Sequence, residues 1–250
     1  MKNYREINRE TIDRWVGEGW QWGIPVDHET YEAAKNGGPW EIFLTPSRPV
    51  PKEWFGELKG ARVLGLAAGG AQQIPIFQAL GSLCTVLDYS RRQIESEKMV
   101  AEREGYAIET IERDMTEPLP FDDETFDLVF HPVANCYVEK VEPIFQEAYR
   151  VLKKGGLFLA GLPNEVNYIV DEEEREIIWS MPFNPLKDPK AAAYMRSEKA
   201  GVQFSHTMEE QIAGQLKAGF TLLDLYEDTN GKGRLHEMNI KTFLATKAVK

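Results

Sequence analysis

The sequence predicts an α/β protein: a doubly wound, mostly parallel seven-stranded sheet with an antiparallel edge strand, preceded by an N-terminal helical cap. Three observations carry this expectation. From Ala61 onward, short apolar, partly β-branched runs (ARVLGLAA, LCTVLDYS, AIETIERD, FDLVFHPV, GLFLAGLP) are mostly separated by helix-length segments such as SRRQIESEKMVAEREG and VEPIFQEAYRVLKKGG, the rhythm of βαβ units. The runs are apolar on both faces, as befits strands covered by helices on either side. Two later candidates, FTLLDLYED and IKTFLATKAV, bring the strands to seven, and a hairpin-like return through TNGKGRLHEMN makes one of them antiparallel at a sheet edge.

The elements follow in order. Residues 1–58 hold short amphipathic pieces (INRETIDRWV, HETYEAAKNG) and then TPSRPVPKEW, whose three prolines exclude a regular helix and make it an extended connector. Residues 59–250 form the main domain: a ligand-binding half over 59–162, an insertion over 163–206, and a final helix and edge strands over 207–250. Gly105 and the pair Gly155 and Gly156 stand where C-terminal glycines stop helices. The insertion breaks the pattern with the acidic run DEEERE (171–176), read as a solvated helix face, and the turn-rich PFNPLKDP. Thr207, with Glu210 three residues on, forms a capping box that starts the helix HTMEEQIAGQLKAGF.

Composition narrows the function. The 250 residues carry a net charge of −11, which repels phosphate backbones and anionic membranes, so neither nucleic acid nor membrane is an expected partner. The two cysteines, Cys84 and Cys136, lack any metal-ligand spacing, so neither a disulfide framework nor a metal site is expected. A reduced, cytoplasmic protein is the simplest reading, since the N-terminus has no apolar core of a signal peptide and no run approaches a membrane span. Five of the six tryptophans (Trp15, Trp20, Trp22, Trp40, Trp54) fall in the first 54 residues, so this segment folds against something and is not a tail.

The chemistry gathers at strand ends. The first strand ends in VLGLAAGGAQQ, small residues that let backbone approach a ligand beside a helix N-terminus. Gly65, Ala67 and Gly70 make it a degenerate Rossmann-like dinucleotide fingerprint, although a tight turn that binds nothing explains it nearly as well. The second strand ends in Asp88, 23 residues past Gly65, where an acid accepts ribose hydroxyls; the alternative is a helix cap. The third delivers Asp114, able to accept from an exocyclic amine such as adenine N6, and Met115, able to pack on the ring. The fourth delivers His131, Pro132, Asn135, Cys136 and Tyr137 to the same edge.

Together VLGLAAGG, TVLDYS, IERDMTEPLPFDDETFDLVF and EAYRVLKKGGLFLAG resemble the successive motifs of class I S-adenosylmethionine-dependent methyltransferases, of the bacterial methyltransferase-11/25 type. The resemblance spans roughly residues 60–162, and more loosely the last helix and strand. It implies S-adenosylmethionine as cofactor, methyl transfer to a small-molecule acceptor, and a Rossmann-like fold. It places Ala67, Ala68 and Gly69 against the methionine moiety, Asp88 on the ribose with Tyr89 beside it, Asp114 and Met115 at the adenine, and the turn from His131 to Val133 near the sulfonium. The family usually has an acid where Gly65 stands and glycines where Ala67 and Ala71 stand; Gln72, Gln73 or the N-terminal segment could replace the missing acid.

Two other functions compete. An NAD(P)-dependent oxidoreductase would share the first two motifs, but no YxxxK or comparable acid-base set is present. A non-catalytic module binding an adenosine ligand would suit the loss of the acid at Gly65. No catalytic residue is assigned: His131 and Tyr137 are plausible bases or substrate contacts, yet as lone residues they fit structural or substrate-lining roles better, and His206 suits local packing. Trp15, Trp20 and Trp22 could line an acceptor pocket or anchor the cap, and the cap and insertion are the candidate lids.

Overall fold

The computed structural model describes residues 3–250. Seven strands form one sheet: β1 (Arg62–Leu66), β2 (Leu83–Asp88), β3 (Glu109–Glu112), β4 (Phe126–His131), β5 (Leu152–Pro163), β6 (Thr221–Asp228) and β7 (Phe243–Val249), in the order β3-β2-β1-β4-β5-β7-β6. The first five are parallel, and β7 runs antiparallel between β5 and the outermost strand β6. The return after β6 thus adds β7 on the inner side, which covers the flank of β5 and leaves β6 as the edge.

The two faces are buried by alternating residues. Leu64, Val129, Phe158 and Ala160 point into one apolar cluster; Val63, Leu128, Phe130 and Leu159 point into the other, the period of two that a strand imposes. The first face is covered by α5 (Glu142–Val151), through Ile144, Phe145 and Ala148, and by the short α7 (Gly214–Ala218) with Phe220. The second is covered by α3 (Ile74–Ala79) and α4 (Arg91–Glu104), through Ile74, Phe77 and Ile94.

Residues 3–58 do two things rather than one. The helix α1 (Tyr4–Gly17), with a capping box between Asn3 and Glu6, runs beside α4. The remainder, from α2 (His28–Lys35) through Ile42, Leu44, Trp54 and Phe55, belongs to the second core face. Trp54 is buried, packs on Tyr226 and donates from Nε1 to the Asp224 carboxylate at 3.0 Å. On the way to it the proline-rich connector folds back in an isolated antiparallel bridge between Phe43 and Pro49.

Gly105 ends α4 in the left-handed region (φ 72°), as its position predicted. Gly155 and Gly156 do not end α5. That helix stops at Val151, because Leu152 is already extended and pairs with Phe126; Gly155 (φ 76°) instead bends β5. The capping box of Thr207 and Glu210 is present, although the turn it opens, Glu209–Ala213, is wound as a π-helix. The acidic run 171–176 is no helix face: Asp171 accepts from the amides of Arg175 and Glu176 and closes a turn. Beyond it, α6 (Pro189–Ser197) packs Ala191 and Met195 with Phe183, Trp179 and Tyr194 into a small separate core.

Candidate active site

At the carboxyl ends of β1, β2 and β4 lies a cavity of about 630 Å³, the crevice where open α/β sheets hold ligands. Its floor is the turn after β1, where Ala67 (φ 50°) and Gly70 (φ 101°) adopt left-handed conformations. Eight of the nine expected cofactor contacts line it: Ala67, Ala68, Gly69, Gln73, Asp88, Tyr89, Asp114 and Met115. Trp20 and Trp22 also reach it, whereas Trp15 packs at a tilt against Trp20 and Trp40 packs on Phe55.

The ninth, His131, does not face the cavity. Its ring is fully buried, with Nδ1 donating to the Leu66 carbonyl at 2.8 Å and Nε2 lying 2.8 Å from the Asn135 side-chain amide. Burial holds its pKa below the ordinary value. Both nitrogens are committed, so the ring pins β4 to β1 rather than meeting a sulfonium or serving as base. His206 is likewise structural: its Nε2 donates to the carbonyls of Asn135 and Val138 at 3.0 and 2.9 Å.

Asp88 occupies the end of β2, buried, with Oδ2 accepting from Gly69 N–H at 3.1 Å and Oδ1 from Ser90 N–H at 2.8 Å. The helix cap itself is Ser90, which accepts from Gln93 N–H, so the carboxylate is not spent on capping. Burial pushes the Asp88 pKa up to about 6. Each oxygen retains lone pairs, and the neighbouring Tyr89 hydroxyl is buried without a partner. A vicinal diol meets such a carboxylate well, and the small turn leaves room for a slender chain, so these residues fit an adenosine-based donor.

The position of Gly65 is crowded. A Cβ there would lie 2.6 Å from Ile74 Cδ1 and 3.1 Å from its Cγ1; isoleucine fills the space a carboxylate would need. Gln72 and Gln73 both line the cavity but are tied to the N-terminal segment: Gln72 donates to the carbonyls of Gln21 and Ile24, and Gln73 Oε1 accepts from Phe43 N–H at 2.8 Å.

Asp114 is more occupied than its motif suggests. Oδ1 accepts from the Thr116 amide and hydroxyl, and Oδ2 pairs with Arg5 Nε at 3.3 Å. Arg5 and Asp13, the latter accepting from Ser90 Oγ and Arg92 N–H, bring α1 to the cavity edge; nothing local in the sequence marks either residue. Asn8 is the other such case. Nearly fully buried, it donates to the carbonyls of Tyr137 and Val202 and accepts from Val202 N–H at 2.6 Å, joining α1 to the insertion. Asn8→Ala leaves these groups unpaired, and we expect a loss of about 2–3 kcal/mol in chemical denaturation; an unchanged midpoint would refute the tether.

On the far side the thiol of Cys136 lies against the phenols of Tyr137 and Tyr168. Burial pushes the thiol pKa up to about 11 and raises both phenols well above the ordinary range. At neutral pH all three are hydrogen-bond donors, not bases. The rim carries Glu172, Glu173 and Glu174 on the insertion and Lys232 and Arg234 after β6, and Glu174 accepts from Leu235 N–H at 2.7 Å. Among the described residues no helix is long and apolar enough to cross a membrane.

Known proteins resemble this chain in sequence and in fold. Residues 64–160 match the family described as "Methyltransferase domain". The chain is 39% identical to the uncharacterized methyltransferase YbaJ of Bacillus subtilis over 97% of both chains. Among solved structures, the S-adenosylmethionine dependent methyltransferase of Mesorhizobium loti superposes with a TM-score of 0.61 at 18% identity, over 80% of this chain and 95% of that one. The 1,6-didemethyltoxoflavin-N1-methyltransferase of Burkholderia thailandensis, solved with 1,6-didemethyltoxoflavin and S-adenosylhomocysteine, superposes with a TM-score of 0.62 at 14% identity, over 99% of this chain and 88% of that one.

Proposed function

Since the chain belongs to the methyltransferase family, we propose that it transfers a methyl group from S-adenosylmethionine to a small-molecule acceptor in the cavity at the carboxyl edge of its sheet. The observation that carries the reading is Asp88, a buried carboxylate with free lone pairs beside a turn of small residues. The donor supplies a methyl already activated on a sulfonium, so the protein has chiefly to align an acceptor and exclude water.

This chain's residues do that as follows. Asp88 takes the ribose hydroxyls, Tyr89 closes over the nucleoside, and Asp114 with Met115 holds the adenine end. Ala67, Ala68 and Gly69 shape the passage for the methionine chain. Trp20, Trp22, Tyr137, Cys136 and Tyr168 wall the acceptor side, and the three protonated S–H and O–H groups there orient an acceptor that carries hydrogen-bond acceptors. A base is required only for an acceptor protonated at neutral pH. Enclosure by α1, residues 43–46 and the insertion supports a small acceptor, and the net charge of −11 weighs against a polyanion.

The test is calorimetry with S-adenosylhomocysteine, expected to bind saturably at micromolar concentration, followed by transfer of labelled methyl into a small-molecule fraction. No binding at millimolar ligand would overturn the donor site. Binding with label recovered only in protein or nucleic acid would overturn the small acceptor.

A further inference from the structure

The donor-binding turn is backed by an unusual pair on α4. Glu97 is fully buried, and its Oε1 accepts from Ala71 N–H at 2.7 Å. Ala71 is left-handed (φ 56°), and the preceding Gly70 is held from the same helix, donating from its amide to the Gln93 carbonyl at 3.1 Å. The second oxygen, Glu97 Oε2, is buried without a partner, and so is Gln93 Oε1 one helical turn earlier. A Cβ on Gly70 would lie 2.6 Å from that Gln93 oxygen, so both side chains press on the turn.

Two unsatisfied acceptors at i and i+4 on one buried face are costly. At Glu97 Oε2 the cost is relieved by protonation, which removes the charge and turns the orphan acceptor into an O–H group. The groups facing Glu97 offer no positive charge. Asp88 stands at the end of β2, Cys84 lies within β2, and Tyr106, stacked on Tyr31, follows α4. Asp88 adds repulsion, and burial with that repulsion pushes the Glu97 pKa up to about 8.

We propose that Glu97 is a positioning residue for the methyl donor: as a neutral carboxylic acid it locks the turn after β1 from behind, and its ionisation loosens that turn. It serves from α4 the turn whose expected acid Ile74 excludes at Gly65. The inference rests on the donor-site reading above. In ionised form the side chain would be a buried anion with an orphan oxygen against the backbone that shapes the methionine passage; water or a shifted turn must then satisfy it.

Glu97→Gln is the discriminating variant, because the amide keeps an acceptor for Ala71 N–H, places a donor at the second position at every pH and never ionises. The probe is S-adenosylhomocysteine, measured calorimetrically between about pH 7 and 9.5. The probe's amino group titrates in both proteins, so the ratio of the two affinities is the readout. Near pH 7 the two bind equally. By about pH 9.5 the wild type is expected to be at least about tenfold weaker than the variant.

A second measurement reads the proton without a ligand. An acid neutral when folded and ionised when unfolded loses stability as pH rises from the ordinary glutamate range to its folded pKa, after which the loss is constant. The unfolding midpoint of wild type relative to Glu97→Gln should therefore fall between about pH 5 and 8 and then level off. Absence of probe binding by the wild type at pH 7 overturns the donor site and this role together. Binding with parallel pH profiles in the two proteins overturns the role of Glu97 alone.

Discussion

Asp88→Ala is expected to weaken S-adenosylhomocysteine binding by about 1–3 kcal/mol, roughly 5- to 150-fold, with little loss of fold. The carboxylate is buried against the backbone amides of Gly69 and Ser90, with the like charge of Asp13 acting on it. Its removal relieves a desolvated charge while leaving two amides to find water from the cavity, so stability changes little and ligand contacts dominate. The pH dependence follows from the same group. With a ligand-free pKa raised to about 6 by burial, Asp88 is an acceptor for two hydroxyls only above that value. Affinity should fall as pH drops below about 6 in the wild type and stay flat over that range in Asp88→Ala. Calorimetry from about pH 5 to 7.5 checks both, and equal affinity of the two proteins at pH 7.5 would remove Asp88 from the site.

Gly65→Asp, which restores the acid usual in the family, is expected to destabilise the protein by about 3 kcal/mol or more and not to strengthen donor binding. The new Cβ would sit 2.6 Å from Ile74 Cδ1, and Ile74 is fully buried in the core face formed with Ile76, Phe77 and Val63. Overpacking alone costs about 1–3 kcal/mol, and an unpaired carboxylate in that setting adds desolvation. Denaturant unfolding measures the loss. A variant as stable as the wild type would show that the turn can rearrange around Ile74 and that the glycine is incidental.

Much of the sheet was legible because its signals are local. Runs such as TVLD and DLVF are apolar on both faces, and that pattern needs no partner to be read. Asp88 could be placed because it ends such a run, and Asp114 because it follows the short, half-exposed strand β3, and in a parallel sheet strand ends share one edge. The exceptions are places where a distant residue intervened. His131 ends a strand as they do, yet its ring turns into the sheet because Leu66 O and Asn135 stand ready to bond both nitrogens. The run 171–176 has the charge of a solvated helix, but Asp171 captures two amides and makes a turn.

By itself, then, the sequence determined the βαβ rhythm, the small-residue turn and the acids beyond β2 and β3, since periodicity, turn chemistry and chain order act over a few residues. The tertiary structure alone decided which side chains meet around the turn and the cavity. Arg5 meets Asp114, Gln73 meets Phe43, Asn8 meets Val202, and Glu97 reaches under Ala71. Each of these contacts joins segments far apart in the chain, and which polar groups face one another there is set by how layers cross and by what burial forces them to satisfy.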